Sequence, residues 1–514
     1  MLSIVKSIAL NGLNGYLVQI QVDVSAGMPS FEIVGLPDTS IKESKERVRT
    51  AIKNSNTEFL SRKIVVNLAP ASTKKEGSIF DLSIAVGILI ANGDICSSNL
   101  ENDLQKTIFV GELALDGNIE HVNGILPICI EARNLGIKKI VLPKSNAKEA
   151  SVIVGIKVIP VSNLNEVINY LNGVIKIQET PKINFISSLN SNYPFDFADV
   201  KGQENVKRAL EISAAGFHNC LLIGSPGSGK TMLARCLPSI LPKLNFEEAL
   251  EITKIHSISG LLSNDEPLVC TRPFRSPHHT ITQTSLVGGG KNPKPGEISL
   301  AHYGVLFLDE LTEFNKSTLE LLRGPLEDRV VTISRLNSTV TYPCNFMFVA
   351  SMNPCPCGYF GSNDKECSCN ESQIQKYINK ISGPLLDRID IHIEVESVKY
   401  DKLESNSSAE NSKTIRQRVN NARNIQLERY KNHNIFSNSQ LTPKLINEYC
   451  KLSFESKKIL RNAFENLGLS ARAYNRILKV ARTIADLDNS KDIKTYHLTE
   501  AIQYRTLDRK YWSR

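Results

Sequence analysis

The sequence predicts a multidomain α/β protein in which a parallel sheet lies between an N-terminal α+β domain and a C-terminal helical segment. Three observations favour this fold. The chain has 514 residues, which exceeds what one hydrophobic core of ordinary size organises. A glycine-rich loop at 224–231 stands between a short apolar strand and a helix. After residue 414, apolar residues recur with helical spacing almost to the end.

Periodicity divides the chain into three domains. Residues 1–173 alternate strand and helix patterns, with an apolar helix at 80–91, and form an α+β domain. Residues 174–194 are rich in Ser, Asn and Pro and are expected to be a linker. Residues 195–400 alternate strands and helices as nucleotide-binding domains do. Residues 401–514 form a helical, basic segment that begins with a polar break.

Composition restricts the class of protein. No run of about 18 apolar residues is long enough to span a bilayer, and residues 1–15 lack the features of a secretory signal. We therefore expect a cytoplasmic protein without a membrane partner, in which the eleven cysteines stay reduced. The formal net charge is +8, and residues 401–514 hold 22 Lys and Arg against 12 Asp and Glu. This local excess favours a phosphate-bearing partner, with a solvated helical surface as the alternative.

The glycine-rich loop is a complete P-loop in its required context. Glycines allow backbone N–H groups to face phosphate oxygens, and the following helix adds its positive end. Lys230 is expected to reach the β and γ phosphates of ATP, and Thr231 to ligate Mg²⁺. The residues of the predicted ATP site are Gly224, Ser225, Pro226, Gly227, Ser228, Gly229, Lys230 and Thr231.

Two further apolar strands end in polar residues. The strand at 305–308 is followed by Asp309 and Glu310, which predicts a second Mg²⁺ ligand and a carboxylate beside the attacking water. The strand at 346–350 leads to Asn353, which is expected to orient that water by hydrogen bonding.

Four cysteines are clustered after this third strand. Cys355 and Cys357 are separated by nine residues from Cys367 and Cys369. Four thiolates paired across a loop could close a tetrahedral Zn²⁺ site, although one intervening residue within a pair is tighter than the usual two to four. Free thiols are the alternative.

Four collinear stretches carry a family resemblance: 275–280 (RSPHHT), 296–302 (GEISLAH), 352–358 (MNPCPCG) and 383–390 (GPLLDRID). With the P-loop, they resemble the magnesium-chelatase-like branch of AAA+ ATPases, and within it the ComM/YifB family. The resemblance implies an AAA+ core with a C-terminal helical lid and assembly into a ring, with six subunits expected. It also implies that Arg388 is an arginine finger and Arg472 a second γ-phosphate sensor, for which a surface helix arginine is the alternative.

The resemblance further implies a hairpin ahead of Asn353 and an insertion that faces the pore of the ring. The β-rich runs at 330–334 and 339–342, around the turn at 335–338, support the hairpin independently. Arg335 at its tip, with Lys291 and Lys294 in the insertion, could follow a nucleic-acid backbone by charge. Solvated loop cations are the alternative for each.

The N-terminal domain is similar to the proteolytic domain of Lon, with its ribosomal S5 domain 2-like fold, over 75–82 and 111–143. Ile79 and Pro127 stand where the serine and lysine of the catalytic dyad would fall, and a Ser-Lys mechanism needs both groups. If the alignment is shifted by one position, Ser78 takes the place of the catalytic serine, and an active peptidase is the alternative. A DNA-binding or ring-organising platform is favoured instead.

Three functions follow from these expectations. The first is an ATP-driven DNA motor, which the resemblance implies is a branch-migration helicase acting on branched or single-stranded DNA in recombination and transformation. The second is a metallochaperone subunit of magnesium-chelatase type, and the third is an ATP-dependent protease. The missing dyad disfavours the protease, and the Lon-like domain and Cys cluster disfavour the chelatase subunit.

Overall fold

The computed structural model of the chain describes residues 2–59, 61–97, 100–182, 193–263, 265–335, 338–362, 365–398, 409–467 and 469–512. The chain divides into two compact units. The first unit comprises Met1–Leu189 and Ala249–Val269, and the second comprises Asn190–Glu248 and Cys270–Arg514. The mixed α/β architecture predicted from the sequence is confirmed.

Strands occur in both units. The strands of the described residues are β1 Leu2–Asn11, β2 Asn14–Ser25, β3 Ser30–Val34, β4 Lys63–Ala69, β5 Thr107–Phe109, β6 Glu112–Leu113, β7 Ile119–Glu120, β8 Lys139–Pro143, β9 Lys157–Val161, β10 Cys220–Gly224, β11 Phe274–Arg275, β12 Gly288–Gly289, β13 Lys294–Pro295, β14 Val305–Leu308, β15 Val330–Arg335, β16 Ser338–Pro343, β17 Met347–Met352 and β18 Ile391–Val395.

The α-helices of the same residues are α1 Thr39–Asn54, α2 Asp81–Asn92, α3 Leu100–Gln105, α4 Ile125–Asn134, α5 Ala147–Ala150, α6 Leu164–Leu171, α7 Glu204–Gly216, α8 Lys230–Cys236, α9 Phe246–Ser259, α10 Gln283–Val287, α11 Glu297–Leu300, α12 Lys316–Glu320, α13 Arg323–Asp328, α14 Glu371–Ile378, α15 Gly383–Leu386, α16 Ser412–Arg429, α17 Pro443–Tyr449, α18 Phe454–Leu467, α19 Ala471–Leu487, α20 Thr495–Gln503 and α21 Thr506–Trp512. None of them combines the length and the apolar character that crossing a bilayer requires.

The first unit is built on a four-stranded sheet of order β1-β2-β4-β3, in which only β3 and β4 are parallel. Helix α2 packs on this sheet, and its residues from Asp81 to Ala91 are all buried, as a helix that is apolar on every side requires. A parallel sheet of order β5-β8-β9 and the hairpin β6-β7 complete the unit.

Helix α9 belongs to both units along its length. Its first three residues, 246–248, belong to the second unit, whereas the residues from Ala249 onward belong to the first. Ser257 donates a hydrogen bond to the Glu149 carboxylate at 2.5 Å, and the Val269 N–H donates to the Thr253 hydroxyl at 3.0 Å. The sequence placed 249–269 in the nucleotide-binding domain, because periodicity does not show which core an apolar helix will join.

The predicted linker at 174–194 is described only in part, since residues 183–192 lie outside the described ranges. Its first residues pack on the first unit. The Lys182 amine donates hydrogen bonds to the carbonyls of Ile153 at 2.9 Å and Ile156 at 2.6 Å. The chain therefore stays with the first unit beyond Gly173, where the domain was expected to end.

The second unit is built on a five-stranded sheet of order β11-β14-β17-β10-β18, in which all neighbouring strands are parallel. The helical segment from Ser412 onward shares its core: Leu222 of β10 and Val349 of β17 belong to the same buried cluster as Ile415 and Ile477. The two regions predicted as separate domains, 195–400 and 401–514, therefore form one compact unit.

Candidate nucleotide site and adjoining clusters

The P-loop connects the carboxyl end of β10 to the first turn of α8. Gly227 and Gly229 adopt φ values of 77° and 89°, in the left-handed region that favours glycine. A Cβ at Gly224 would lie 2.3 Å from the carbonyl oxygen of Val395, so only glycine allows β10 to end beside β18. Around Gly227 and Gly229 a Cβ would meet nothing within 4 Å, so the turn of the loop has open space beside its backbone.

Lys230 lies at the centre of the loop. Its amine donates hydrogen bonds to the carbonyls of Gly224 and Ser225, both at 2.8 Å, and to Asn353 Oδ1 at 3.2 Å. Burial lowers the pKa of Lys230, an effect that the nearby Asp309 partly opposes. The amine is thus a buried donor aimed into the loop, and Asn353 from the neighbouring strand β17 reaches the same atom.

Asp309 comes directly after β14 and joins this network. Its Oδ2 accepts a hydrogen bond from the Thr231 hydroxyl at 2.7 Å, and its Oδ1 accepts one from the Ser351 hydroxyl. Carboxylate and hydroxyl oxygens so placed are ligands that Mg²⁺ prefers, so the two predicted metal ligands fit the ion. Ser351 was not identified from the sequence, because a serine inside an apolar strand gives no signal of its own.

Glu310 follows at once, and its φ of 52° is unusual for a residue with a side chain. Its N–H donates to Asp309 Oδ1 at 3.1 Å and to the Ser351 hydroxyl at 3.3 Å, which holds the turn. The sheet order places β17 between β10 and β14, so Lys230, Asp309, Glu310 and Asn353 meet at one edge of the sheet.

Arg388 and Arg472 lie together elsewhere in the second unit. Both line a cavity of about 530 Å³, whose described lining includes no P-loop residue. Arg388 donates to the Pro384 carbonyl at 2.7 Å and pairs with the Glu327 carboxylate, while Arg472 lies 3.6 Å from the Asp387 carboxylate. The structure therefore places the two arginines on the lining of one cavity, and the described lining of that cavity includes no P-loop residue.

The insertion and the hairpin form a second surface feature, which we call the cation ribbon: Lys291, Lys294 and Arg335. Strand β12 pairs with β13, and a Cβ at Gly289 would lie 3.1 Å from the Arg335 guanidinium. The Tyr342 hydroxyl donates to the Pro293 carbonyl at 2.7 Å and fastens the insertion to the hairpin. The three cations are exposed and lie on adjoining strands and loops.

Arg335 pairs with Ser338 as the last residue of β15, so it belongs to the strand and not to the turn. The remaining turn residues, Leu336 and Asn337, lie outside the described ranges.

Two of the sequence stretches that carry the family resemblance are joined in the structure. Arg275 donates two hydrogen bonds to the Glu297 carboxylate, at 2.5 and 2.7 Å. His278 bonds to the Thr280 hydroxyl at 2.9 Å, and its ring lies 4.0 Å from that of His279. These contacts hold the local structure of the two stretches.

The four clustered cysteines converge after β17. The ligand atoms of Cys355, Cys357, Cys367 and Cys369 all lie within 4.8 Å of one another, an arrangement that could hold a metal ion. The loop that carries them also touches the P-loop: a Cβ at Gly358 would lie 2.5 Å from Cδ of Pro226.

In the described part of the first unit, Ser78 makes no hydrogen bond with a lysine. Its hydroxyl contacts the Glu112 carboxylate, whereas the buried Lys75 amine donates to backbone carbonyls, including that of Gly35 at 3.2 Å. A serine nucleophile with a lysine base requires the two side chains to be within hydrogen-bond reach. The contacts of Ser78 therefore do not support a peptidase through the shifted alignment.

A P-loop on an inner strand of a parallel sheet, an Asp-Glu pair ending a second strand and an Asn after the strand between them define a P-loop protein of the AAA+ class. Family models support this classification over most of the chain. Residues 196–403 match the model described as magnesium chelatase, subunit ChlI, 20–146 match subunit ChlI of Mg-chelatase, and 409–505 match the ChlI C-terminal model.

The chain belongs to the ComM/YifB family of magnesium-chelatase-like AAA+ proteins. It is 42% identical over 513 residues to the competence protein ComM of Haemophilus influenzae, covering 99% of this chain and 98% of the relative. It is 43% identical over 509 residues to YifB of Escherichia coli K12, with the same coverage. The likeness to the magnesium-chelatase 38 kDa subunit of Rhodobacter capsulatus is 26% identity over 31% of this chain and 50% of the relative. Family membership implies ATP and Mg²⁺ as ligands.

Proposed function

We propose that the chain is an ATP-hydrolysing, ring-forming DNA motor that moves branch points, with a role in recombining DNA taken up during competence. The observation that carries the proposal is the exposed cation ribbon in the same compact unit as a complete nucleotide site. Full-length similarity to a relative named for competence, the capacity to take up DNA, favours DNA as the substrate.

The nucleotide site supplies the residues for hydrolysis. Lys230 would bind the β and γ phosphates, and Thr231 and Asp309 would hold Mg²⁺, which offsets negative charge on the phosphates. Glu310 would accept the proton of the attacking water, and Asn353, already 3.2 Å from the Lys230 amine, would fix the position of that water.

The position of the two arginines supports a ring. Arg388 and Arg472 line a cavity apart from the P-loop of their own chain. If they stabilise charge on a γ phosphate, that phosphate belongs to the neighbouring subunit, which makes hydrolysis depend on assembly. Arg388 would leave its carboxylate partner, Glu327, to do so.

The cation ribbon supports DNA as the partner. Lysine and arginine side chains contact phosphates without reading sequence, as a motor that must move along any DNA requires. The excess of positive charge in 401–514 adds a second basic region. Magnesium-chelatase subunits are the competing model, but the likeness to one of them covers under a third of the chain.

The test measures ATP hydrolysis with and without a four-way DNA junction, together with strand exchange of that junction. We expect the junction to stimulate hydrolysis, and Glu310→Gln to abolish hydrolysis while the protein still binds nucleotide. Replacing the three ribbon cations with Ala should remove the stimulation and leave basal hydrolysis intact. The matched control replaces three exposed lysines of the second unit that lie outside both the ribbon and 401–514, Lys243, Lys316 and Lys376.

Hydrolysis that is indifferent to every DNA, with no DNA retained by the nucleotide-bound Glu310→Gln variant, would refute the DNA motor and favour the chelatase model. A ribbon variant that responds to DNA like the lysine control would show that the ribbon is not the contact surface.

A further inference from the structure

The four cysteines occupy both ends of the loop that joins β17 to α14. Cys355 and Cys357 follow Asn353 within four residues, and Cys367 and Cys369 precede Glu371, the first residue of α14. The Sγ atom of Cys355 lies 3.3 Å from that of Cys357 and 3.7 Å from that of Cys367. The Sγ atoms of Cys357 and Cys367 are 3.6 Å apart.

These separations match the edges of a thiolate tetrahedron. With Zn–S bonds of about 2.3 Å, the sulfur atoms of a tetrahedral site stand roughly 3.8 Å apart. A disulfide would instead bring one pair to about 2.0 Å and leave the second pair independent. Here the four sulfur atoms are mutual neighbours within 4.8 Å, which is the arrangement of one shared ion.

Backbone donors already point at two of these sulfur atoms. The Phe360 N–H donates to Cys355 Sγ at 3.3 Å, and the Cys357 N–H donates to Cys369 Sγ at 3.4 Å. Outer donors of this kind stabilise the negative charge of metal-bound ligands and fix their orientation. The loop therefore already supplies two backbone donors that would stabilise thiolates bound to a metal ion.

We propose that Cys355, Cys357, Cys367 and Cys369 hold one structural Zn²⁺ ion, which braces the nucleotide site. Binding displaces the four thiol protons to solvent and leaves four Zn–S bonds with no open position for substrate.

The braced loop contacts both the P-loop and helix α21. Gly358 lies against the ring of Pro226 in the P-loop, and the Phe360 ring packs edge-on against Tyr511 of α21, with 6.2 Å between centroids. Loss of the ion would free the loop from these contacts and weaken nucleotide binding.

The first test counts metal in the full-length chain, purified under reducing conditions without added metal. We expect one zinc per chain, and a cobalt-substituted protein with the thiolate-to-cobalt absorption of a tetrahedral site. Cys357→Ser and Cys369→Ser should lose the ion, whereas Cys96→Ser, at an exposed cysteine outside the cluster, should keep it. Titrating the wild type with a mercurial should release zinc in step with thiol modification. This measurement does not depend on whether the serine variants fold.

A folded wild type that neither contains zinc nor takes it up would overturn the proposal, as would iron in its place or full zinc content in the serine variants. The brace is tested separately, by nucleotide affinity of the wild type before and after zinc removal. We expect affinity to fall about fivefold or more, the effect of roughly 1 kcal/mol. Equal affinity would refute the brace, and neither measurement depends on DNA.

Discussion

Substituting Gly358 with Ala tests whether the loop after β17 supports the P-loop. The added Cβ would lie 2.5 Å from Cδ and 2.7 Å from Cγ of Pro226, a rigid ring that cannot turn aside as a flexible side chain would. Gly358 also has a φ of 87°, which costs a residue with a side chain roughly 1–2 kcal/mol. Overpacking against Pro226 adds about 1–3 kcal/mol.

Gly361→Ala is the matched control. It has a similar φ of 76°, but its Cβ would meet only Cε and Nζ at the flexible end of Lys510, at 3.5 and 3.4 Å. Both variants carry the backbone strain, so the difference between them isolates the clash with the P-loop. That difference of about 1–3 kcal/mol corresponds to roughly 5- to 150-fold in an equilibrium constant.

The assay is binding of a fluorescent ADP analogue, with a thermal melt to confirm that each variant is folded. We expect Gly358→Ala to bind the analogue more weakly than Gly361→Ala by a factor in this range. Equal affinities would refute the reasoning, because they would mean that the loop yields to the new methyl group without moving Pro226.

Two further predictions concern single side chains of the second unit. Asn353→Ala removes the acceptor 3.2 Å from the Lys230 amine and the group that would orient water; we expect kcat for ATP to fall about 100-fold with KM little changed, and an unchanged kcat would exclude that role. Asp390→Asn leaves Arg476 without its buried partner and should cost about 3–5 kcal/mol in urea unfolding at neutral pH. Burial alone would raise the pKa of Asp390, but Arg476 and His218 outweigh it and hold this pKa below its ordinary value. The stabilisation that ionised Asp390 gives the wild type is therefore complete above about pH 4 and is lost as the pH falls further. Asp390→Asn lacks this carboxylate, so its free energy of unfolding should fall less than that of the wild type on acidification. Parallel pH profiles of the two proteins would contradict this.

Local patterns were enough to predict the elements that form the nucleotide site. The strand before the P-loop, β14 and the strand that leads to Asn353 are each apolar runs followed by functional residues, and the carboxyl ends of parallel strands meet at one edge of a sheet. The helical spacing expected after residue 414 is present in helix α19, Ala471–Leu487, whose apolar stripe is regular and whose first turn is capped by Ser470.

Contacts between distant segments could not be predicted in this way. Strand β1 gave no clear alternation, because its buried positions include Ser3 and Ser7, whose hydroxyls donate to the carbonyls of Gly87 and Phe109. The partner of Arg388, Glu327, stands 61 positions away, and no pattern links the two. The roles of the site residues and the similarity to Lon stay predictions.

The path of the chain through α9 limits how this protein can be divided. A cut at the linker near residue 190 would leave Ile252 and Ile255, both fully buried, on the fragment that lacks the rest of their unit. The other fragment would keep Glu149 but lose the Ser257 hydroxyl that bonds to it. The N-terminal unit is thus not a detachable module. If this unit is exchanged between relatives, residues 249–269 must be exchanged with it. Residues of 249–269 and the residues of 1–189 that pack against them are expected to covary.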